Sequence, residues 1–425
     1  MSLSSRSVIL VTVVLFVPIL YSLCYCDHGY AFGIDELKIK NISLGNSITN
    51  STNQSISNGN ATILSSDAVD SFNLEQQDEL LSKLYNKTQR SVVSITTKIN
   101  PMLVGQNTTS NISSTFSSSD PLIDIPFAEG SGFVYDEDGH IITNYHVLRG
   151  GTSVDVRFLD GNSYSATLVG KDPYSDLAVL QVDPSALYRE NLVPLPLASS
   201  SSLKVGHHVV AIGNPLGYSG TMTEGIVSQL NIVLSDRESG VYLPQIIQVD
   251  IPITHGSSGG PLLNLEGQVV GLTKGGTKEA TFINFAIPSE TVSKIVPKLI
   301  NEGSYNHTWM GISGVDLTPD LAKTMGLSDA KGYLVSYVAP NSPAEIAGIS
   351  KGHDQNRMIL YGRDYGINVD ADIIIAVDNT PVRQQADLLN YIENKSPGDK
   401  VSLKIVRNKN ITNVMVQLGT RPLLT

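Results

Sequence analysis

From Ser91 to about Ile287 the chain repeats one pattern, a short run rich in Val, Ile, Leu and Thr followed by a turn of Gly, Asp, Asn or Pro. The runs are Gly130 to Tyr135, His140 to Asn144, Ser153 to Phe158, Ser163 to Val169, Leu177 to Val182, His208 to Ile212, Met222 to Leu230, Ile246 to Val249, Gln268 to Thr273 and Ile283 to Ile287. Short β-branched segments separated by turn signals predict a mainly β domain, a barrel or a sandwich. Two stretches have helical spacing instead. Leu74, Leu80, Leu81 and Leu84 predict a helix over Leu74 to Arg90 that runs straight into a strand at Ser91 to Thr96, and Thr291 to Asn301 predicts a closing helix ended by Gly303. A smaller folded segment follows, from Trp309 to about Leu418.

The N-terminal pattern differs. Val8 to Tyr25 is an apolar run broken only by Thr12, Pro18 and Ser22, with Arg6 before it and Asp27 after it, which predicts an export signal. Its length lies between a signal-peptide core and a spanning helix, so residues 1–26 read as a signal peptide or as a membrane anchor. Residues 27–72 are rich in Asn, Ser, Thr and Gly and lack the apolar surface to offset ordering entropy; they read as a disordered stalk. N-x-S/T triplets cluster there and just beyond, at Asn41, Asn50, Asn53, Asn60, Asn86, Asn107 and Asn111, and are sparse later, at Asn306, Asn394 and Asn410. The stalk is thus a candidate glycosylated segment.

A chain of 425 residues exceeds what one core supports, consistent with two folded domains, 73–303 and 304–425, behind the head and stalk. The net charge of -11 and the absence of a Lys/Arg cluster exclude nucleic acid as an expected partner. Both cysteines, Cys24 and Cys26, fall in the N-terminal head, so the remainder has no disulfide and no thiolate site. No metal or cofactor is expected.

Three windows carry candidate chemistry. In Gly256-Ser257-Ser258-Gly259-Gly260-Pro261 the glycines allow a tight turn whose backbone N–H groups can face a developing oxyanion. Ile142-Thr143-Asn144-Tyr145-His146-Val147 places a histidine at the end of an apolar strand, and Asp172-Pro173-Tyr174-Ser175-Asp176-Leu177-Ala178-Val179 places an aspartate at the start of another. Each residue alone has a bland reading as a turn, cap or surface residue. Together they supply base, orienting carboxylate and nucleophile in the order His, Asp, Ser.

These segments, T-N-x-H-V, D-x-x-x-D-L-A-V-L and G-x-S-G-G-P-L-L-N, resemble those of the HtrA (Deg) family of trypsin-like serine proteases. Gly130-Ser131-Gly132-Phe133-Val134 and Ala211-Ile212-Gly213-Asn214-Pro215-Leu216-Gly217 are also similar to that family. The resemblance spans about Ser91 to Leu418 and implies a chymotrypsin-like double β-barrel followed by an α+β PDZ domain. It implies His146 as general base and acid, Asp176 as its orienter, Ser258 as nucleophile, and the N–H groups of Gly256 and Ser258 as the oxyanion hole. Only Ser258 has Gly-Gly-Pro directly after it, which excludes Ser257. The family's usual Asn before the nucleophile is Ser257 here, and the run into it, Pro252 to Gly256, is less apolar; His255 reads as an incidental loop residue.

Pro252 stands six residues before Ser258, where a trypsin-like enzyme carries its acidic specificity residue, and Asp250 is the acidic residue nearby. A pocket without a carboxylate favours small or medium aliphatic side chains. Trp309-Met310-Gly311-Ile312 resembles the carboxylate-binding loop of an HtrA-type PDZ domain; a buried Trp in a structural turn is the plainer alternative. Gly332 to Val335 and Pro340 to Ile349 resemble the next strand and short helix, and Asp372 to Asn379 and Ala386 to Ile392 a further strand and helix. His353 to Val369 is an insertion into that pattern.

The implied protein is an extracytoplasmic endoprotease, membrane-anchored or secreted, acting on unfolded or misfolded polypeptides and holding peptide C-termini at the PDZ domain. Homo-oligomerisation as a trimer is implied by the resemblance alone. The alternative is a chaperone-like binding protein on the same fold with weak or no proteolysis.

Overall fold

The structure is a computed structural model and describes residues 66–99, 127–187, 192–214, 220–236, 241–254, 256–275, 283–360 and 363–422. The expected head, most of the expected stalk, the triplets from Asn41 to Asn60 and at Asn107 and Asn111, and His255 lie outside them. Among the described residues no helix is long and apolar enough to cross a membrane.

A helix from Ser66 to Thr88 opens the described chain, beginning earlier than the leucine spacing predicts, and a short 3-10 turn, Gln89–Ser91, leads into the first strand. Six strands then close a barrel: β1 (Val92–Ile99), β2 (Phe127–Val134), β3 (His140–Thr143), β4 (Gly151–Arg157), β5 (Ser163–Asp172) and β6 (Leu177–Val182), in the spatial order β1-β2-β3-β6-β5-β4. A second barrel follows: β7 (His208–Gly213), β8 (Thr221–Asp236), β9 (Val241–Val249), β10 (Pro261–Leu263), β11 (Val269–Lys274) and β12 (Asn284–Pro288), in the order β10-β11-β12-β9-β8-β7.

The continuous apolar runs have a simple cause. Side chains alternate between strand faces, and here both faces are buried. In β6, Ala178 and Leu180 fill the first barrel while Leu177 and Val179 face the core between the barrels. In β7, Val209 and Ala211 fill the second barrel while Val210 and Ile212 join that shared core. The helix Ser289–Glu302 covers it, burying Val292, Ile295, Val296 and Leu299 at the i, i+3, i+4, i+7 positions of one face. It ends at Gly303, whose φ of 75° and N–H bond to Leu299 O close the last turn. The turns that follow β3 and β5 and precede β10 thus meet where the two barrels join.

The C-terminal domain begins with β13 (Thr308–Trp309) and the strand β14 (Ile312–Asp316), then a helix Pro319–Thr324, β15 (Tyr333–Val338) and a helix Pro343–Ile346. The insertion from His353 to Val369 contains a hairpin of its own, β16 (Arg357–Leu360) and β17 (Arg363–Asn368). Next come β18 (Ile373–Val377), β19 (Thr380–Pro381), the helix Gln385–Glu393, β20 (Lys400–Arg407), β21 (Asn410–Gln417) and β22 (Gly419–Thr420). The main sheet runs β14-β15-β18-β20-β21, with β19 beside β18, over a core including Tyr333, Val335, Ile374, Leu388, Leu403 and Val416.

Candidate active site

Asn144 opens a single helical turn, Tyr145–Leu148, at the end of β3. That turn is stapled to the loop between β5 and β6: Tyr145 N–H donates to Asp176 O (3.1 Å), and Asn144 Nδ2 donates to the same oxygen (3.0 Å). Asp176 has φ of 56°, a left-handed conformation that Asp and Asn adopt most readily among non-glycine residues. Its carboxylate grips His146 twice, Oδ1 accepting the backbone N–H (2.9 Å) and Oδ2 accepting from Nδ1 (2.8 Å). An ionised carboxylate only accepts, so the proton sits on Nδ1 and Nε2 is left as the basic atom. Asp176 is 3% exposed. Burial alone would raise its pKa, but the charge and hydrogen bond of His146, with those of Lys274, outweigh it and hold the carboxyl well below the usual range.

The Ser258 turn is built around Gly256 and Gly259, with φ of 90° and 88°. A Cβ on Gly259 would collide with Ser131 O and Thr143 Oγ1 and come within 3.1 Å of Asn144 N, so the turn lies against the segment that presents His146. Ser131 fastens both sides: its N–H donates to Ser258 O (2.8 Å), its O accepts from Thr143 Oγ1 (2.7 Å), and its Oγ donates to Gly256 O (2.6 Å) while accepting from Asn214 N–H (2.8 Å). Ser257 O accepts from both Gly260 N–H (3.1 Å) and Thr273 Oγ1 (2.8 Å). In a trans peptide the N–H points opposite its carbonyl, so this anchorage turns Ser258 N–H the other way. Ser257, Gly259 and Gly260 donate their N–H groups to Thr254, Thr273 and Ser257, whereas those of Gly256 and Ser258 donate to no acceptor among the described residues. Gly259→Ala should remove activity by breaking this turn while the separate C-terminal sheet stays folded; circular dichroism and peptide hydrolysis measured together check it.

The serine hydroxyl itself rests against the residue that follows β11. Ser258 Oγ accepts from Gly275 N–H at 3.2 Å, and among the described residues it has no hydrogen bond to His146. One residue earlier, Lys274 Nζ donates to Asp176 Oδ2 at 2.6 Å. Sequence reasoning missed Lys274. The available signal was a charge closing the apolar run Val269-Val270-Gly271-Leu272-Thr273, with glycines directly behind it.

Asp250 is exposed and its Oδ1 accepts Ile226 N–H (2.6 Å); Pro252 is exposed too. In the C-terminal domain Trp309 pairs with Gly419, and Met310 is buried with its carbonyl accepting Ala344 N–H (2.9 Å). Gly311 has φ of 87°, and a Cβ there would collide with Ser342, so the bend needs glycine. Ile312 opens β14, which lies at the edge of its sheet with β15 as its one strand neighbour. The helix Gln385–Glu393 packs nearby, its Gln385 N–H donating to Asp316 Oδ1 (2.5 Å).

Two six-stranded barrels with His and Asp at strand ends of the first and a Gly-Ser-Ser-Gly-Gly turn on the second define a trypsin-like peptidase fold. Residues 130–272 match the family model of the trypsin-like peptidase domain and residues 309–418 that of the PDZ domain. The chain is 36% identical over 296 residues to a protein of Hahella chejuensis named probable periplasmic serine endoprotease DegP-like, covering 69% of this chain and 57% of that one. A protein of Brucella suis with the same name is 35% identical over 303 residues, covering 70% and 53%. The chain therefore spans little more than half the length of these curated relatives. The solved structure of the HtrA-type protease AlgW with tripeptide superposes with a TM-score of 0.60 at 26% identity, covering 81% of this chain and 98% of that one. This chain belongs to the HtrA family of trypsin-like serine proteases that carry a PDZ domain.

Proposed function

We propose that this protein is an extracytoplasmic serine endoprotease that cuts unfolded or misfolded polypeptides with Ser258, His146 and Asp176. The observation that carries the reading is the double grip of Asp176 on His146, which fixes the imidazole with Nε2 as its basic atom beside the Ser258 turn. For attack, Ser258 Oγ exchanges its bond to Gly275 N–H for one to His146 Nε2. Its proton then passes to Nε2 as Oγ bonds the scissile carbonyl carbon, and the oxyanion takes the N–H groups of Gly256 and Ser258. His146 returns the proton to the leaving amine, and water repeats the sequence to free the acyl group. Small or medium aliphatic side chains fit the site before the cleaved bond, because Asp250 is spent on Ile226.

The apolar head and the relatives named periplasmic support an extracytoplasmic location, attached through residues 1–26 or released by cleavage. Self-association, as a trimer, is part of the same proposal. Fluorophosphonate labelling of the full chain tests the nucleophile. Ser258→Ala should lose labelling and casein cleavage, while Ser257→Ala keeps most of both; equal loss in the two variants, or labelling that survives Ser258→Ala, refutes the assignment.

In the same reading, the Trp309 to Ile312 loop holds the terminal carboxylate of a hydrophobic peptide that extends along the edge of β14. Peptides with a free carboxylate should bind about tenfold or more tightly than their amides, since the amide removes the charged acceptor. Equal affinity by fluorescence anisotropy counts against it.

A further inference from the structure

Lys274 ends β11, every residue of which is buried, and its side chain is 11% exposed. An ammonium removed from water needs a counter-charge, and this one has Asp176 Oδ2 at 2.6 Å. The same oxygen accepts from His146 Nδ1 at 2.8 Å. Lys274 and the imidazole therefore meet on a single carboxylate atom. An orienting carboxylate has two tasks, holding the imidazole and stabilising the imidazolium that forms as serine attacks. A fixed ammonium on that atom helps the first by locking the carboxylate and weakens the second, because it repels the proton arriving on His146.

We propose that Lys274 is a positioning residue of the triad that locks Asp176 and, by offsetting its charge, moves the acid limit of the Ser258 reaction to lower pH. The proposal rests on Ser258 being the nucleophile. The surrounding charges leave this role to Lys274. At the end of β5, Asp172 is engaged by His307 (2.7 Å) and Lys171 lies 5.6 Å from the Tyr145 ring centre on the helical turn, and on the loop that follows Tyr174 OH donates to Pro422 O. Among the described residues, the Ser258 turn brings hydroxyls and backbone N–H groups, and β11 brings Lys274 itself. Shared between two donors, the carboxylate has less negative charge to offer the imidazolium that forms as serine attacks, which extends labelling into acid.

The test is the second-order rate of fluorophosphonate modification at Ser258 in the full chain, across about pH 5 to 8. The wild type is compared with Lys274→Met, Lys274→Gln and Lys274→Arg. Met and Gln remove the charge and should move the acid limb up by about one pH unit, so that the wild type reacts about tenfold faster at the acid end. Arg keeps the charge and should keep the wild-type limb. If Met impairs folding, judged by thermal unfolding, Gln decides the question. Acid limbs of the neutral variants that superimpose on the wild type overturn the proposal, as does an Arg variant shifted as far as Met. Wild type that is not modified at Ser258 removes the nucleophile reading and this one together, whereas modification at Ser258 with coincident limbs removes the role of Lys274 alone.

Discussion

Asp176→Asn is expected to lower kcat/KM for an unfolded protein by about 10⁴-fold, with the chain still folded. The carboxylate accepts from His146 N, His146 Nδ1 and Lys274 Nζ on its two oxygens. An Asn side chain has one accepting oxygen, and its NH₂ must face either the His146 backbone N–H or the pair formed by Nδ1 and Lys274. In the first orientation two donors oppose each other. In the second the imidazole keeps a favourable contact only by moving its proton to Nε2, which removes the base. Asn is the informative substitution because Asp176 has φ of 56°, which Asn tolerates and Ala does not, so loss of activity is not confounded by backbone strain. Circular dichroism and PDZ-peptide binding serve as folding controls. A loss below about tenfold would show that Asp176 does not hold the catalytic tautomer.

Much of this arrangement was legible in the sequence because its chemistry and its topology leave local marks. The strand runs stood out because the barrels bury both faces, and His146 and Asp176 sit where apolar runs end. The three-residue β10 did not stand out, since Pro261-Leu262-Leu263 is too short for a period and continues the Ser258 turn. The hairpin of β20 and β21 left a usable mark that went unassigned: Val401, Leu403 and Ile405 alternate inward, and Asn408-Lys409 form the connecting turn with φ of 50° and 64°. At the N-terminus the helix begins at Ser66, where Val69 and Phe72 among Asp, Ser and Asn residues make too short a pattern to announce it. Lys274 left a mark, a charge closing an apolar run, but an ambiguous one. A lysine at the end of an apolar strand reads as its solvent end, and the partner that keeps it buried is 98 residues away. The contacts between protease and PDZ domains are of the same kind, set by tertiary placement alone.

The second large effect is expected there. His307 Nε2 meets Asp172 Oδ2 at 2.7 Å with side chains 5% and 2% exposed, and Glu393 approaches Nδ1 at 3.8 Å while pairing with Lys294 at 3.2 Å. Tyr174 and Tyr305 present ring edges to the imidazole, Arg421 lies 3.8 Å above the Tyr174 ring centre, and Tyr174 OH donates to Pro422 O. His307, Arg421 and Pro422, which flank the 309–418 match to the PDZ domain, thus hold the segment that, four residues after Asp172, carries Asp176. Burial pushes the His307 pKa down, but the hydrogen bonds and charges of Asp172 and Glu393 outweigh it and raise it to about 9 from 6.5. Removing one partner of so buried a pair should cost about 3–5 kcal/mol, so Asp172→Ala is expected to lower the urea midpoint of the full chain substantially. The pH dependence has a definite sign. A folded-state pKa raised above the unfolded one adds stability that is complete below about 6.5 and fades as pH rises through about 9, a loss of about 3 kcal/mol from His307. Tyrosines and lysines titrating in the same window act on both proteins alike, so the difference between wild type and Asp172→Ala isolates the pair. Wild type should weaken more than the variant between about pH 7 and 10. Parallel curves over that range would mean that the buried ion pair is not what holds the two domains against the Asp176 loop.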